Sequence, residues 1–313
     1  MAAAASTSRP LAAQLPRLAA TYSIVARDAE TGELGVAVQS NYFSVGTDVS
    51  WARAGVGAVA TQGIVEVAYG PKGLELLARG ASAQEALDEL VAKDPLAALR
   101  QVAIVDTSGR AAAHTGGACV SACGHAVKGG FSVQGNMLAS DAVWQAMPAA
   151  FETAKGDLAE RLMQVLEAAE HAGGDVRGRQ SAALVVVGAE PLANEWEARS
   201  FDLHVEDHPH PLGELRRLLT LRRAFALFKR ARVCFGSGDL DGALALVTQA
   251  RQLHPGDVQF AFWTGVALAN SGRDEQARAW LGEAFRDSAV WRELGRRLCE
   301  AGLFTGDPGL LEP

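Results

Sequence analysis

The stretch 21–41, TYSIVARDAETGELGVAVQSN, constrains the chain more than any other. Two runs rich in β-branched residues flank Asp28-Ala29-Glu30-Thr31-Gly32-Glu33, a polar turn with a glycine near its end. Such a pattern predicts a β-hairpin. A period of two puts Tyr22, Ile24 and Ala26 on one face of the first strand and Thr21, Ser23, Val25 and Arg27 on the other. A threonine at the head of this strand has two readings. It is a good strand former, or it is a nucleophile that carries its own base once the preceding residues are gone.

Beyond the hairpin the period alternates in blocks. SVGTDVSWARAGVGAVATQG predicts two short strands, with Gly55 and Gly57 marking a bend or a close backbone approach. Pro71 suits the first turn of a helix, and Ser82-Ala83-Gln84-Glu85 is a capping box that opens a second. That second helix carries an apolar stripe of Ala86, Leu87, Leu90 and Val91, and Pro95 ends it. LRQVAIVDTSGRAAAHTG predicts strand, turn, strand, and GGFSVQGNML a further strand. Two helices follow, over 140–155 with a kink at Pro148 and over 157–171. SAALVVVG predicts a strand buried on both faces, and ARSFDLHV a last one. Strands come in hairpin blocks and helices in pairs, unlike the one-for-one alternation of a doubly wound sheet. The pattern predicts a layered sandwich, two sheets face to face with helices outside both.

DHPHPLGELRRLL reads as a boundary, and everything after it is helical. Phe228 and Phe262, Gly238 and Gly272, Ala243 and Ala277, and Ala250 and Ala284 each stand 34 positions apart. That is the tetratricopeptide period, with alanines where two helices of a repeat pack closely. His254-Pro255-Gly256-Asp257 is the turn between repeats. Two repeats bury little alone, so this region is expected to lean on the first domain or on a second copy of the chain. The predicted domains are an extension over 1–20, a sandwich over 21–212 and a helical region over 213–313.

Composition narrows the function classes. A net charge of −7 with mixed signs over 313 residues argues against general nucleic-acid binding. No apolar run reaches the length of a membrane span. Four cysteines in so long a chain make no disulfide framework, which points to a reducing, cytoplasmic setting. The first twenty residues, MAAAASTSRPLAAQLPRLAA, place small residues at 19 and 20 as a signal-peptidase site does, but no sustained apolar segment precedes them. They read as a disordered tail or an overextended gene start rather than an export signal, with a propeptide removed at Ala20–Thr21 as a third reading.

TYSIVARDAETGELGVAVQS, WARAGVGAVATQ, YGPKGLELL, QGNML, GGDVRGRQSAALVV and DHPHPLGELRRLL together resemble the family called domain of unknown function 1028, over 21 to about 304. Several members of that family carry a tetratricopeptide-like tail. The family is similar in fold to the N-terminal-nucleophile hydrolases. The resemblance therefore implies a four-layer αββα sandwich followed by an all-α domain, and the hydrolysis of amide bonds. Family members commonly begin Met-Thr-Phe-Ser, so that methionine removal exposes the threonine; here twenty residues precede Thr21.

A threonine hydroxyl needs a base to take its proton, and a free α-amino group with a pKa of about 7.7–8 is a base held beside its own hydroxyl. Arg53, on a neighbouring strand, is a candidate cation to lower that pKa; otherwise it is a surface charge. Ser23 lies two residues on from Thr21, on the same face. It is placed to orient the amine or leaving group, or is simply a strand serine. Asn136, beside Gly135, is a candidate donor to a developing oxyanion, with Thr61 and Gln62 as weaker ones. The alternative for each is to cap a strand end or satisfy a buried backbone group. GGDVRGRQS presents Asp175, Arg177, Arg179 and Gln180 round glycines. Its two arginines suit a bidentate clamp on a substrate carboxylate, or an ion pair with Asp175 that fixes the loop. Cys119, Cys123, His114 and His125 fit no common zinc spacing, and no metal or cofactor is expected. Two functions stand. One is an amidohydrolase of small carboxylated amides or short peptides, assembled as a homo-oligomer. The other is a non-catalytic scaffold whose helical region binds a protein partner.

Overall fold

In the computed structural model the chain enters as a two-residue strand, β1 (Leu18–Ala19), and then forms the hairpin, β2 (Thr21–Arg27) and β3 (Leu34–Ser40). A short helix α1 (Val45–Val49) leads into β4 (Ser50–Arg53) and β5 (Gly57–Ile64). Helices α2 (Tyr69–Ala78) and α3 (Ala83–Ala92) precede four strands, β6 (Arg100–Asp106), β7 (Ala111–Thr115), β8 (Gly124–Lys128) and β9 (Phe131–Asn136). Helices α4 (Ala142–Thr153) and α5 (Leu158–His171) precede β10 (Ser181–Val187) and β11 (Arg199–Val205). Five helices follow: α6 (Pro211–Ser237), α7 (Leu240–Leu253), α8 (Val258–Asn270), α9 (Asp274–Phe285) and α10 (Ala289–Glu300). The structure describes residues 18–19, 21–286 and 289–312. The expectation of a disordered or removable extension over 1–20 lies outside them, apart from β1.

The chain divides into two compact units, Met1–Arg217 and Leu218–Pro313. The first holds two wholly antiparallel sheets. One has the order β1-β5-β6-β7 with β4 also paired to β5, and the other the order β11-β10-β3-β2-β9-β8. Their facing surfaces share an apolar core of small side chains, with Val25, Val36, Val38, Ala183 and Val185 against Ala58, Ala60, Ala103 and Val105. Helices α2 and α3 cover the outer face of the first sheet through Leu74, Leu77, Ala86, Leu87 and Leu90. Helix α5 packs on β2, β3 and β10, and α4 on β8 and β9.

Local chemistry accounts for these boundaries. Ser82 accepts from Glu85 N and its own N–H reaches Glu85 Oε2 at 2.8 Å, the capping box read from the sequence. Asp157 caps α5 through Glu160 N at 2.8 Å. Gly55 turns the chain at φ 67°, and a Cβ on Gly57 would lie 2.4 Å from Leu77 and 2.6 Å from the Val105 carbonyl. Both glycine roles expected there are present. Strand β10 is buried along its whole length between β3 and β11. Two elements depart from the expectation. SVGTDV begins with a helix of five residues, too short for its period to declare itself, and GHAVK forms β8 between two strands where the sequence pattern marks no strand.

The second unit is all helical. Helices α7 and α9 start at Leu240 and Asp274, one repeat period apart, and Gly238 and Gly272 both adopt positive φ where the preceding helices end. Ala243, Ala250, Ala277, Ala284 and Phe262 are buried, and they pack into the two helical cores. Among the described residues no helix is long and apolar enough to cross a membrane.

Candidate functional site

The space between the two sheets is apolar at one end and polar at the other. At the polar end Thr21 and Ser23 of β2, Ser40 of β3, Gln134 and Asn136 of β9, Gln62 of β5 and Gln101 of β6 are all buried. Strand register explains the gathering. Thr21 stands directly across from Ser40 on one side and Asn136 on the other, and Ser23 across from Gln134. Cross-strand partners share a face of the sheet, so these side chains all meet the opposing sheet. There Gln62 and Gln101 are themselves a registered pair.

A buried polar group must be hydrogen-bonded or it costs free energy, and here the bonds form one connected set. Gln101 Nε2 contacts the carbonyls of Gly124 at 3.1 Å and Gly135 at 2.9 Å, and Thr115 Oγ1 at 2.9 Å. Two of those three are backbone carbonyls, which only accept, so this end of the amide is the nitrogen. Its Oε1 therefore accepts, from Gln62 Nε2 at 2.7 Å and Asn136 Nδ2 at 3.0 Å. Gln62 Nε2 also donates to the Thr21 carbonyl at 3.3 Å, and Gln62 Oε1 takes the Ser23 hydroxyl at 2.6 Å. Ser23 in turn accepts from Gln134 Nε2 at 2.6 Å, and Gln134 Oε1 from Ser132 at 3.0 Å. Thr21 Oγ1 donates to Ser40 Oγ at 3.2 Å. Asn136 Oδ1 is buried with no partner.

Tyr22, one residue along, points to the opposite face and into a charged neighbourhood. Its hydroxyl donates to Glu170 Oε2, and Glu170 Oε1 takes Arg179 Nε. Burial, and then the Glu170 charge, hold the phenol well above its usual pKa. A cavity of ≈ 500 Å³ lies beside Glu170 and Arg179, lined also by Glu167, His171, His210 and Leu212.

The structure brings Thr21, Ser23, Gln62 and Asn136 together. It does not bring Arg53 to them. Arg53 pairs with Gly57, five residues and roughly 17 Å along β5 from Gln62, and its guanidinium sits 3.9 Å from the Glu195 carboxylate. Spacing along the chain could not tell which end of β4 turns toward Thr21. Thr61 faces away from the polar set, and its hydroxyl donates to the Glu66 carbonyl at 3.1 Å, the backbone-satisfying alternative.

The 174–180 loop lies at the same end of the sandwich as Thr21, since Gln180 N reaches the Ser40 carbonyl and Asn41 N the Asp175 carboxylate at 2.8 Å. Its arginines are engaged. Arg177 Nη2 holds Asp175 at 3.0 Å and Arg179 holds Glu170, while Gln180 Nε2 donates to Asp207 at 3.2 Å. The loop-fixing ion pair is thus present.

Gln101, Gln134 and Ser40 escaped the sequence reading. A signal for the glutamines exists: VAVQS, VATQG, RQVAI and FSVQG each set one glutamine near the end of an apolar strand. Three of the four meet between the sheets. The fourth, Gln39, faces the other way, with its buried amide unpartnered.

Burial, and then Cys123 nearby, push the Cys119 thiol up to about 11, which favours its protonated form at neutral pH. Burial, and then His114, hold His125 below its usual pKa; its Nδ1 lies 2.8 Å from Thr115 Oγ1. All four cysteines are free. Among the described residues no group of three or more His, Cys, Asp or Glu side chains is gathered to hold a metal ion.

The family model described as "Family of unknown function (DUF1028)" matches residues 21–215, and a tetratricopeptide repeat model matches residues 235–297. The chain is also similar to the crystal structure of a protein from Silicibacter pomeroyi described under the same DUF1028 family model. The two are 32% identical with a TM-score of 0.58, over 64% of this chain and 84% of that one. No curated protein matches the sequence.

Proposed function

The chain belongs to the family of unknown function DUF1028, and on that premise we propose that it is an amidohydrolase of the N-terminal-nucleophile type with Thr21 as nucleophile. The observation that carries the reading is the position of Thr21, at the head of an inner strand with its side chain between the sheets. The order of layers supports it: α2 and α3, sheet, sheet, then α4 and α5, as a four-layer αββα sandwich requires. The base is the α-amino group of Thr21, freed when the bond to Ala20 is cut. Burial takes over the part first given to Arg53. Desolvation disfavours an ammonium ion, so an amine set among uncharged side chains is held neutral without a nearby cation.

The strand before Thr21 lies where such a cut would matter. Leu18 and Ala19 pair with Ile64 and Gly63, next to Gln62, which bonds the Thr21 carbonyl. Release of that segment bares the β5 edge beside the polar set. The substrate is a small amide or short peptide. A carboxylate on it would have to draw Arg177 from Asp175, or Arg179 from Glu170.

The test is the intact mass of the chain purified with its own N-terminus, followed by assay against amides and short peptides. A chain beginning at Thr21, with turnover that Thr21→Val lowers at least about 1,000-fold, is the expected result. A stable chain that retains the residues before Thr21 overturns it. That outcome favours the second reading, a non-catalytic scaffold whose tetratricopeptide region, matched over 235–297, engages a protein partner.

A further inference from the structure

We propose that Asn136 Oδ1 is the acceptor that holds the α-amino group of Thr21 after the Ala20–Thr21 bond is broken, which makes Asn136 a positioning residue for the base. The inference rests on the nucleophile reading above. It starts from the one loose end in an otherwise connected set. Asn136 is buried, its Nδ2 donates to Gln101 Oε1 at 3.0 Å, and its Oδ1 has no partner.

The orientation of that amide follows from its neighbours. The carbonyls of Gly124 and Gly135 fix the nitrogen of Gln101, which fixes its oxygen, which obliges Asn136 to present nitrogen to it. The free atom is therefore oxygen, an acceptor, and whatever completes it must donate.

The donor is identified by register. Thr21 and Asn136 are directly opposed on adjacent antiparallel strands, with side chains on the same face. The Thr21 hydroxyl already donates to Ser40 on the other flank. Hydrolysis of the Ala20–Thr21 bond consumes one water, leaving a carboxyl group on Ala20 and a primary amine on Thr21. The single peptide N–H becomes an amine with at least two N–H groups, so the cut creates a new donor beside the unfilled acceptor. An acceptor is also the kind of neighbour the base needs. A donor there would compete for the nitrogen lone pair, whereas Oδ1 takes an N–H and leaves the lone pair for the proton of Oγ1. The side chains bonded into this set, Ser23, Ser40, Gln62, Gln101, Gln134 and Asn136, carry no charge.

The test joins the intact mass of the purified chain to its crystal structure and to a titration of the Thr21 amine, followed by NMR of protein labelled with 15N-threonine. The expected result has three parts: a mass that begins at Thr21, the amine nitrogen within about 3.2 Å of Asn136 Oδ1, and a titration midpoint that Asn136→Asp raises by about one unit or more. A chain that begins at Thr21 but bonds Oδ1 to another donor overturns the inference and leaves the nucleophile reading standing. So does one whose titration midpoint Asn136→Asp leaves in place. The crystal structure of the wild-type chain decides by itself if the variant does not fold. A mass that retains the residues before Thr21 overturns both.

Discussion

Strand β2 separates two kinds of polar surface by a single residue step. On the Thr21 and Ser23 side the bonds traced above join amides, hydroxyls and backbone carbonyls, and the amide bonds run in fixed directions. On the Tyr22 side the partners are ions: Glu170 with Arg179, and nearby Arg216 bridging Glu160 at 2.6 Å and Glu167 at 2.7 Å. The difference follows from where each face looks. The inner face is sealed between two sheets, where an isolated charge would be costly, and neutral groups that bond one another are tolerated. The outer face borders helices and a cavity, where paired charges keep some access to water. A neutral, oriented interior suits a reaction that needs an uncharged amine, while the ionic face suits the fastening of a loop and a helix.

The sharpest way to break this contrast is at Gln101. Gln101→Leu removes one donor shared by the Gly124 and Gly135 carbonyls, and the acceptor shared by Gln62 Nε2 and Asn136 Nδ2. The expected loss is about 3 kcal/mol or more, read from denaturant unfolding. A loss under about 1 kcal/mol would show that the amides reorganise freely and that the fixed directions mean little. On the other face, Tyr22→Phe removes one donor from a carboxylate that Arg179 still neutralises. It should cost about 1–1.5 kcal/mol of stability and leave turnover by the folded protein unchanged. Lost turnover with a normal melt would mean that the two faces are coupled.

The smallest effect sharpens the edge of the neutral region. His125, at its rim, has a pKa in the folded chain below its ordinary value of about 6.5, chiefly through burial. Between those two values the unfolded chain binds the proton and the folded chain does not. Stability therefore falls as pH drops through 6.5 toward the folded value and is unaffected by this group above it. Melting temperatures between pH 7.5 and 5.5 should show the decline, and His125→Gln should flatten it.

The sequence made the hairpin, the helix pairs and the 34-residue period legible because each is a local repeat of two, 3.6 or 34. Thr21, Ser23 and Asn136 were legible as strand-end polar residues. Arg53 was misplaced for a reason no local pattern repairs. Which strand ends meet depends on pairings such as Arg53 with Gly57 and Gln62 with Gln101, which are properties of the folded sheet. Gln101 was passed over because one glutamine in RQVAIVD looks like an interruption of an apolar strand. Its meaning appears only when Gln62 and Gln134 arrive from other strands. Helix α1 and strand β8, five residues each, are shorter than the windows in which a period can be counted.

The one-way run of amides between the sheets has a consequence for how charge can move there. A carboxamide passes a proton along only by rearranging to its imidic form, so Gln62, Gln101 and Gln134 make a poor conductor of protons, however well connected they are. His125 touches Thr115 and Thr115 touches Gln101, yet the path stops being a wire at the first amide. The amides thus act as an insulator on the Gln62, Gln101 and Gln134 side of Thr21, and the group in direct contact with its Oγ1 is a hydroxyl, that of Ser40.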